Sequence, residues 1–190
     1  MKKSTITLIV IGAIVLLLVF WGIGTRNSLV SMDEEIQLKA SQVETQLQRR
    51  SDLIPNFVAT VKGYAAHEEE VYTEIANARA KLAGAIEEND VGAMNEANSE
   101  LDSALSRLLV VVENYPELKA NENFIALQDE LAGTENRIAI ARENYNTAVA
   151  LYNKQIKVFP KNLIANMCGL EKAEYFEASE GAKDVPKVEF

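Results

Sequence analysis

The sequence has few of the residues that bind metals, form disulfides or make tight turns. One Cys and one His exclude an internal disulfide framework, a thiolate cage for zinc and a poly-His metal site. Only 4 Pro and 9 Gly in 190 residues argue against an all-β fold, because such folds need many turns. The net charge of −9 disfavours nucleic-acid binding, which depends on the neutralisation of phosphates.

A long run without charge lies close to the N-terminus. Residues 4–25 contain no charged side chain, and most of residues 6–24 are apolar. A helix of about 20 such residues spans roughly 30 Å, the hydrocarbon thickness of a bilayer. We therefore predict that residues 1–27 form a transmembrane anchor. A cleaved signal peptide is the alternative, although the apolar run is longer than usual for one and lacks an Ala-x-Ala site.

Basic residues flank this run on both sides, so orientation is weakly encoded. Lys2 and Lys3 precede the run, and Arg26 and Lys39 follow it. A short basic N-terminus before a long apolar segment is typical of signal anchors, which predicts a cytoplasmic N-terminus and a domain outside the cytoplasm. The rest of the chain is more acidic than the whole, so we expect anionic lipids to repel the domain.

Heptad spacing predicts helices through most of the remaining chain. Steps of four and three from Ile36 to Ala85 meet apolar residues or Tyr at all positions except Arg50 and Glu68. This pattern indicates one long helix, or two in continuous register. Pro55 lies inside it, and we predict a kink there rather than a break, because the pattern keeps its phase.

Two further stripes follow, over residues 94–115 and 124–159. Asn89-Asp90 is a plausible stop and N-cap between the first two stripes, and a short helix is predicted at residues 162–167. The fold class is therefore all-α: an N-terminal transmembrane helix followed by a long antiparallel four-helix bundle, with the short helix as the fourth member. We place the bundle at residues 28–178 and an irregular tail at 179–190.

The two charges on the first stripe predict interhelical ion pairs, because an unpaired buried charge is strongly unfavourable. For Arg50 the candidate partners are Glu122, Asp129, Glu130 and Glu135.

Catalytic constellations are scarce. His67 precedes three Glu and could supply at most half of a carboxylate-bridged metal site, so we interpret it as an exposed helix residue. Cys168 has no basic neighbours and is interpreted as a small buried apolar residue. No phosphate-binding Gly loop or nucleophile elbow is present in the sequence. The sequence predicts neither an enzyme nor a cofactor.

Four polar motifs are more specific than the heptads. They are QLQRRSDLIPN at 46–56, VKGYAAHE at 61–68, ENYPELKANENF at 113–124, and GTENRIAIAR at 133–142 with Tyr145-Asn146. Together they resemble the LemA family of bacterial membrane proteins over residues 33–190. The family often has Trp where this chain has Ala40 and Phe where it has Cys168. The resemblance implies a single-pass protein of the bacterial inner membrane with a long helical bundle, and it implies no reaction.

Residues of these motifs and stripes are the candidate structural and interaction residues. They are Arg50, Pro55, Glu68, Tyr115, Pro116, Asn121, Asn123, Glu135, Asn136, Arg137, Arg142, Tyr145 and Asn146. The leading hypothesis is a non-enzymatic scaffold of the bacterial envelope, whose partners are the membrane and other envelope proteins. The alternative is a membrane-anchored sensor that binds a small polar ligand among the Asn, Tyr and Arg side chains of the third stripe.

Overall fold

The computed structural model describes residues 3–176, and within that range it contains helices and no strands. The helices are α1 (Lys3–Lys62), α2 (Glu69–Glu87), α3 (Val91–Val112), α4 (Pro116–Lys119), α5 (Glu122–Gln155) and α6 (Lys161–Met167). The all-α prediction is confirmed. The predicted tail at 179–190 lies outside the described residues, and the predicted domain boundaries stay a prediction.

The apolar segment and the first bundle helix form one uninterrupted helix. α1 includes the only stretch in the described chain that is long and apolar enough to cross a membrane, with a mean hydropathy of 2.9 and none of that window buried. The buried stripe of α1 begins at Thr25 and Leu29, earlier than the predicted start at Ile36. Pro55 lies inside α1, as predicted, and does not end it.

Of the two alternatives for residues 36–85, one long helix is wrong, because α1 ends at Lys62 and α2 starts at Glu69. Two helices are present, but their register is not continuous. Gly63 follows the last residue of α1, and glycine costs about 1 kcal/mol relative to alanine inside a helix. The break also shifts the buried register: Ala65 and Tyr72 are buried, whereas Tyr64 is 40% exposed. Lys62 in the last turn of α1 and Gly63 directly after it form a helix stop signal that heptad spacing does not register.

The start of α3 agrees with the prediction. Asp90 is its N-cap, and the Asp90 side chain accepts a hydrogen bond from the backbone N–H of Ala93 at 2.8 Å. Asn89 has a φ of 53°, in the left-handed region that Asn tolerates better than most residues. Together they make the tight turn between α2 and α3.

Two compact units make up the described chain, and α1 and α5 each contribute to both. In the bundle unit, residues 39–62 of α1 pack with α2, α3 and residues 122–146 of α5. Arg49 contacts Glu130 at 2.7 Å and Phe57 stacks on Phe124, so α1 and α5 run antiparallel there. The fourth bundle helix is thus α2, obtained by splitting the first predicted helix, and not the short C-terminal helix.

Ion pairs fix the direction of α2 relative to α3. Lys81 pairs with Glu100, and Glu74 pairs with Arg107, both at 2.7 Å. The residue later in α2 pairs with the residue earlier in α3, so the two helices are antiparallel. This is the arrangement expected for neighbouring helices joined by a short turn.

The N-terminal unit contains residues up to Leu38 and residues 147–173. Here α6 lies beside α1, because a Cβ added to Gly22 would lie 3.6 Å from Cδ1 of Ile164. Two sequence interpretations fail in this unit. Phe159, the last member of the third stripe, is 75% exposed. Cys168, expected to be buried, is exposed because it follows the last residue of α6 at the C-cap.

Candidate functional site

A buried guanidinium lies at the centre of the bundle unit. Arg50 is 6% exposed and contacts carboxylates from two other helices. Its Nη1 lies 2.7 Å from Oε2 of Glu135 on α5, and its Nη2 pairs with Asp102 on α3. The predicted interhelical ion pair of Arg50 is therefore confirmed with Glu135, whereas Asp102 was absent from the candidate partners.

Asn98 completes this charge cluster, which we define as Arg50, Asn98, Asp102, Glu135 and Arg142. The amide of Asn98 is 1% exposed, accepts a hydrogen bond from Nη1 of Arg50 and donates one to Oδ2 of Asp102, both at 3.0 Å. Asn98 therefore bridges the guanidinium of Arg50 and the carboxylate of Asp102 and orients both groups. No signal in the sequence marked Asn98, because it lies one residue beyond the apolar position Ala97.

Arg142 adds a second positive charge to the cluster. Burial lowers the pKa of its guanidinium, the neighbouring Glu135 and Asp102 raise it, and Arg50 lowers it. Its Nε and Nη2 are buried without a hydrogen-bond partner among the described residues. Arg142 is therefore close enough for both carboxylates to act on its pKa, but the ion pairs that join α1 to α3 and α5 are those of Arg50.

Of the other candidate partners of Arg50, Glu122 and Asp129 are exposed and form no ion pair with it, and Glu130 contacts different residues. Glu130 accepts hydrogen bonds from Nη2 of Arg49 at 2.7 Å and from Nη2 of Arg137 at 2.8 Å. These side chains are all at least 39% exposed, so we expect the pairs to contribute little stability. Asn136 is exposed and outside the charge cluster.

A pocket of about 390 Å³ opens beside the charge cluster. Apolar side chains contribute much of its lining, and Arg50, Asp102 and Glu135 of the charge cluster also line it. The apolar lining residues are Phe57, Leu105, Leu109, Leu131 and Ala132. α5 contributes Gln128 and Glu135 as polar groups, and none of its Asn or Tyr residues lines the pocket. The arrangement expected of a polar-ligand sensor is therefore not the one found here.

Residues 63–68, which join α1 to α2, and residues 113–123, which include α4 and the first residues of α5, meet at the end of the bundle unit and form what we call the loop pair. Nδ2 of Asn121 donates to the hydroxyl of Tyr64 at 3.0 Å. Tyr115 and Pro116 start α4, whose Leu118 is fully buried beneath the surface. Pro116 and Asn123 are exposed and Tyr64 is 40% exposed, so the loop pair presents two members of one predicted motif and an aromatic ring to solvent.

Glu68 contradicts the ion-pair prediction. It is the N-cap residue of α2, and it forms no salt bridge within residues 3–176. Its carboxylate helps to raise the pKa of Tyr72, an effect that is smaller than that of burial. His67 is exposed as expected but lies in the loop before α2 rather than in a helix.

Tyr145 and Asn146 bind the end of the described chain. The Asn146 amide donates to the carbonyl of Phe176 at 2.8 Å and accepts from its N–H at 2.9 Å. The Tyr145 hydroxyl donates to the carbonyl of Glu174 at 3.0 Å, and its ring meets Phe176 edge to face at 5.0 Å. Burial raises the pKa of Tyr145, and Glu174 adds to this. These two motif residues therefore act as a clamp on an extended segment.

Replacing Asn146 with Ala should release this segment. Both backbone groups of Phe176 lose their partners, and leaving such groups unsatisfied costs about 1–3 kcal/mol. We expect faster hydrogen exchange at Phe176 and earlier proteolysis between residues 170 and 180, with helix content unchanged. Asn136→Ala, on an exposed face of the same helix, is the matched control and should change neither readout. Equal proteolysis of the two variants would contradict the clamp.

Comparison with known proteins gives a consistent set of matches. The model of the LemA family matches residues 39–190. A magnetosome protein, MamQ 2 of Paramagnetospirillum magneticum, is 31% identical over 185 residues, which cover 85% of this chain and 68% of that protein. MamQ of Magnetospirillum gryphiswaldense is 28% identical with the same coverage. Protein LemA of Metamycoplasma hominis is 28% identical over 83% of this chain and 71% of its own length.

Proposed function

The chain belongs to the LemA family and is membrane-associated, and from this premise we propose that it is a scaffold that presents its helical bundle to other proteins of the bacterial envelope. The proposal assigns the chain no catalytic role. The names of the relatives describe no enzymatic activity. In the described residues, no group of three or more metal-ligating side chains comes together.

One observation supports the proposal more than any other: α1 carries both the candidate membrane span and a central bundle residue, Arg50. The charge cluster binds α1 to α3 and α5 at that residue. A bundle that is built around the anchor helix itself is suited to holding a partner at a membrane. Charged residues inside a bundle are also a means of fixing register, which a docking surface requires.

The partner surface that we propose is the loop pair. Its exposed Tyr64, Pro116 and Asn123 combine an aromatic ring with polar groups, as protein interfaces commonly do. Beneath the loop pair, the fully buried Leu118 and the stacked rings of Phe57 and Phe124 hold the backbone in place. A supported, exposed loop surface is where binding residues concentrate in helical proteins.

Photo-crosslinking in living cells tests this proposal. A benzophenone amino acid replaces Glu117 or Asn123 in the loop pair, and Ala80 on the exposed face of α2 serves as the control position. We expect the two loop positions to capture the same envelope protein and position 80 to capture none of it. A product pattern that is identical at all three positions would contradict the scaffold role of the loop pair.

We further propose that the bundle lies outside the cytoplasm. The short basic N-terminus before the apolar run supports this orientation, although Arg26 and Lys39 on the other side nearly balance the count. A pair of reporters fused after Phe190 decides the matter, one active only in the cytoplasm and one only outside it. Activity of the cytoplasmic reporter alone would overturn this assignment.

The sensor alternative has one observation in its favour, the pocket beside the charge cluster. Arg50 is the group that would attract an anionic ligand, but its guanidinium is already bound by Asp102, Glu135 and Asn98. A ligand would have to displace one of these partners. The scaffold therefore remains the better-supported function.

A further inference from the structure

The corner between α5 and α6 exposes an unusual amount of apolar surface, all of it within the N-terminal unit. We define this corner as residues 154–169. Phe159 is 75% exposed and Met167 is 82% exposed, and Val158 and Leu163 are also exposed. Leu163 and Met167 are four residues apart on α6 and therefore share one face. Single exposed apolar residues are ordinary, but a cluster of four large ones marks an interaction site.

The opposite side of the corner is packed. Ala165 and Ile156 are buried, and Ile164 lies against Gly22 of α1. α6 is thus a short amphipathic helix with one face on the protein and one apolar face in solvent. The position of α6 along the axis of α1 indicates which surroundings cover this second face.

The contact of Ile164 with Gly22 gives the position of α6 along α1. Gly22 lies near the end of the uncharged run, and Arg26, the first charged residue after the run, follows four residues later. At 1.5 Å per residue, about 6 Å separates the two positions along the helix. The headgroup region on each side of the hydrocarbon is of a similar thickness, roughly 5–8 Å. Ile164 therefore lies at the boundary between hydrocarbon and headgroups when α1 spans a bilayer.

The charge of the corner fits the same surroundings. Residues 154–169 contain Lys154, Lys157 and Lys161 and no acidic residue, in a chain whose net charge is −9. Lys154 and Lys157 are exposed, and Lys161 uses one N–H to bond Oε1 of Gln155 at 2.6 Å. Basic side chains beside an apolar face are the pattern of helices that lie in an anionic membrane surface.

We propose that the corner is a membrane foot: it inserts Phe159, Leu163 and Met167 into the bilayer that α1 spans, while its lysines contact anionic headgroups. The sequence as a whole predicts repulsion between the acidic domain and anionic lipid, and the foot is the local exception. The inference depends on residues 6–24 crossing the membrane and is independent of the scaffold role.

Depth-dependent fluorescence quenching tests the foot in the full-length protein. Trp21→Phe removes the single Trp of the chain. Phe159→Trp and Met167→Trp then each introduce one reporter at an exposed position, where a ring is accommodated without repacking. Val110→Trp, on the exposed face of α3, is the matched control. Each variant is reconstituted in phosphatidylcholine vesicles with acyl chains brominated near the headgroup.

Quenching of both corner reporters by brominated lipid, with protection from aqueous iodide, is the expected result, and Val110→Trp should behave in the opposite way. Corner reporters that respond to iodide as Val110→Trp does would overturn the proposal. Protection from iodide without lipid quenching, dependent on the protein-to-lipid ratio, would assign the face to a second copy of this chain and would also overturn it.

A second arm isolates the lysines. Adding phosphatidylglycerol to the vesicles should increase lipid quenching of Phe159→Trp, and Lys157→Gln with Lys161→Gln should reduce that increase, because only Lys154 remains. The same double substitution should leave quenching in phosphatidylcholine alone unchanged, because the apolar insertion remains. Quenching that is indifferent to phosphatidylglycerol in the parent would remove the headgroup contact from the proposal.

Discussion

Replacing Arg50 with Ala is expected to lower the free energy of unfolding of the bundle by about 3 kcal/mol. The change removes the ion-pair partner of both Asp102 and Glu135, and it deprives Asn98 of a donor. Removal of one partner from a buried ion pair costs about 3–5 kcal/mol. The lower end applies because the two carboxylates are 38% and 46% exposed and can regain water. Urea unfolding of the full chain in detergent micelles, followed by circular dichroism, measures the difference.

Arg49 provides the matched control. It is the neighbouring residue and also pairs with a Glu on α5, but its side chain is 55% exposed. Arg49→Ala should therefore cost about 0–1 kcal/mol. Equal losses for the two variants would show that burial does not distinguish these pairs.

A compensated variant separates pairing from packing. Arg50→Met with Asp102→Leu and Glu135→Leu removes both the guanidinium and its two carboxylates. Apolar replacements of buried ion pairs are often neutral or stabilising. We expect this triple variant to recover most of the stability lost in Arg50→Ala, although Arg142 then lacks its carboxylates. If it also loses crosslinking to partners, the charges serve register rather than stability.

Much of the fold followed from heptad spacing, because a buried stripe on a long helix leaves a clear period in the sequence. Leu47, Leu101 and Ile138, one from each predicted stripe, are fully buried. The period alone could not locate the break at residues 63–68. Tyr64 fits the count although it is 40% exposed, and Glu68, an exception to the count, is the N-cap residue of α2 rather than a buried charge.

The charge cluster was predictable only in part. Arg50 was detectable because it is a charged residue at an apolar position of the stripe. A buried charge needs an ion-pair partner, but the spacing does not identify which residue that partner is. Asp102 lies on α3 at a position adjacent to the buried Leu101. Its contact with Arg50 depends on how three helices are rotated against one another. Sequence periodicity contains no information on that rotation, so Asp102 and Asn98 were missed.

The corner between α5 and α6 shows a second limit of periodicity. Phe159 fits the heptad spacing of the third stripe in the sequence, but α5 ends at Gln155. Beyond that residue the helical count no longer describes which side chains share a face. An apolar residue there was interpreted as core because sequence patterns do not distinguish contact with protein from contact with lipid.

Phe57→Ala is expected to lower the free energy of unfolding by about 3 kcal/mol. Phe57 is 1% exposed, and its ring stacks on that of Phe124 with centroids 5.2 Å apart. Truncation of a buried Phe costs about 3–5 kcal/mol, through lost burial and the cavity left behind. The lower end applies because Phe57 also lines the open pocket, so water can fill part of the new space. Val110→Ala, at a residue that is 69% exposed, should stay within about 0.5 kcal/mol of the parent.

A double-mutant cycle with Phe124→Ala tests whether the stacked rings act as a pair. Aromatic contacts contribute about 0.5–1.5 kcal/mol beyond their buried area, so the double variant should lose less than the sum of the single variants by that amount. The Phe57–Phe124 contact joins α1 to α5 near the loop pair, and its loss should therefore also weaken crosslinking from positions 117 and 123. Additive losses in the cycle would show that each ring acts through burial alone and that the stacked geometry has no energetic role.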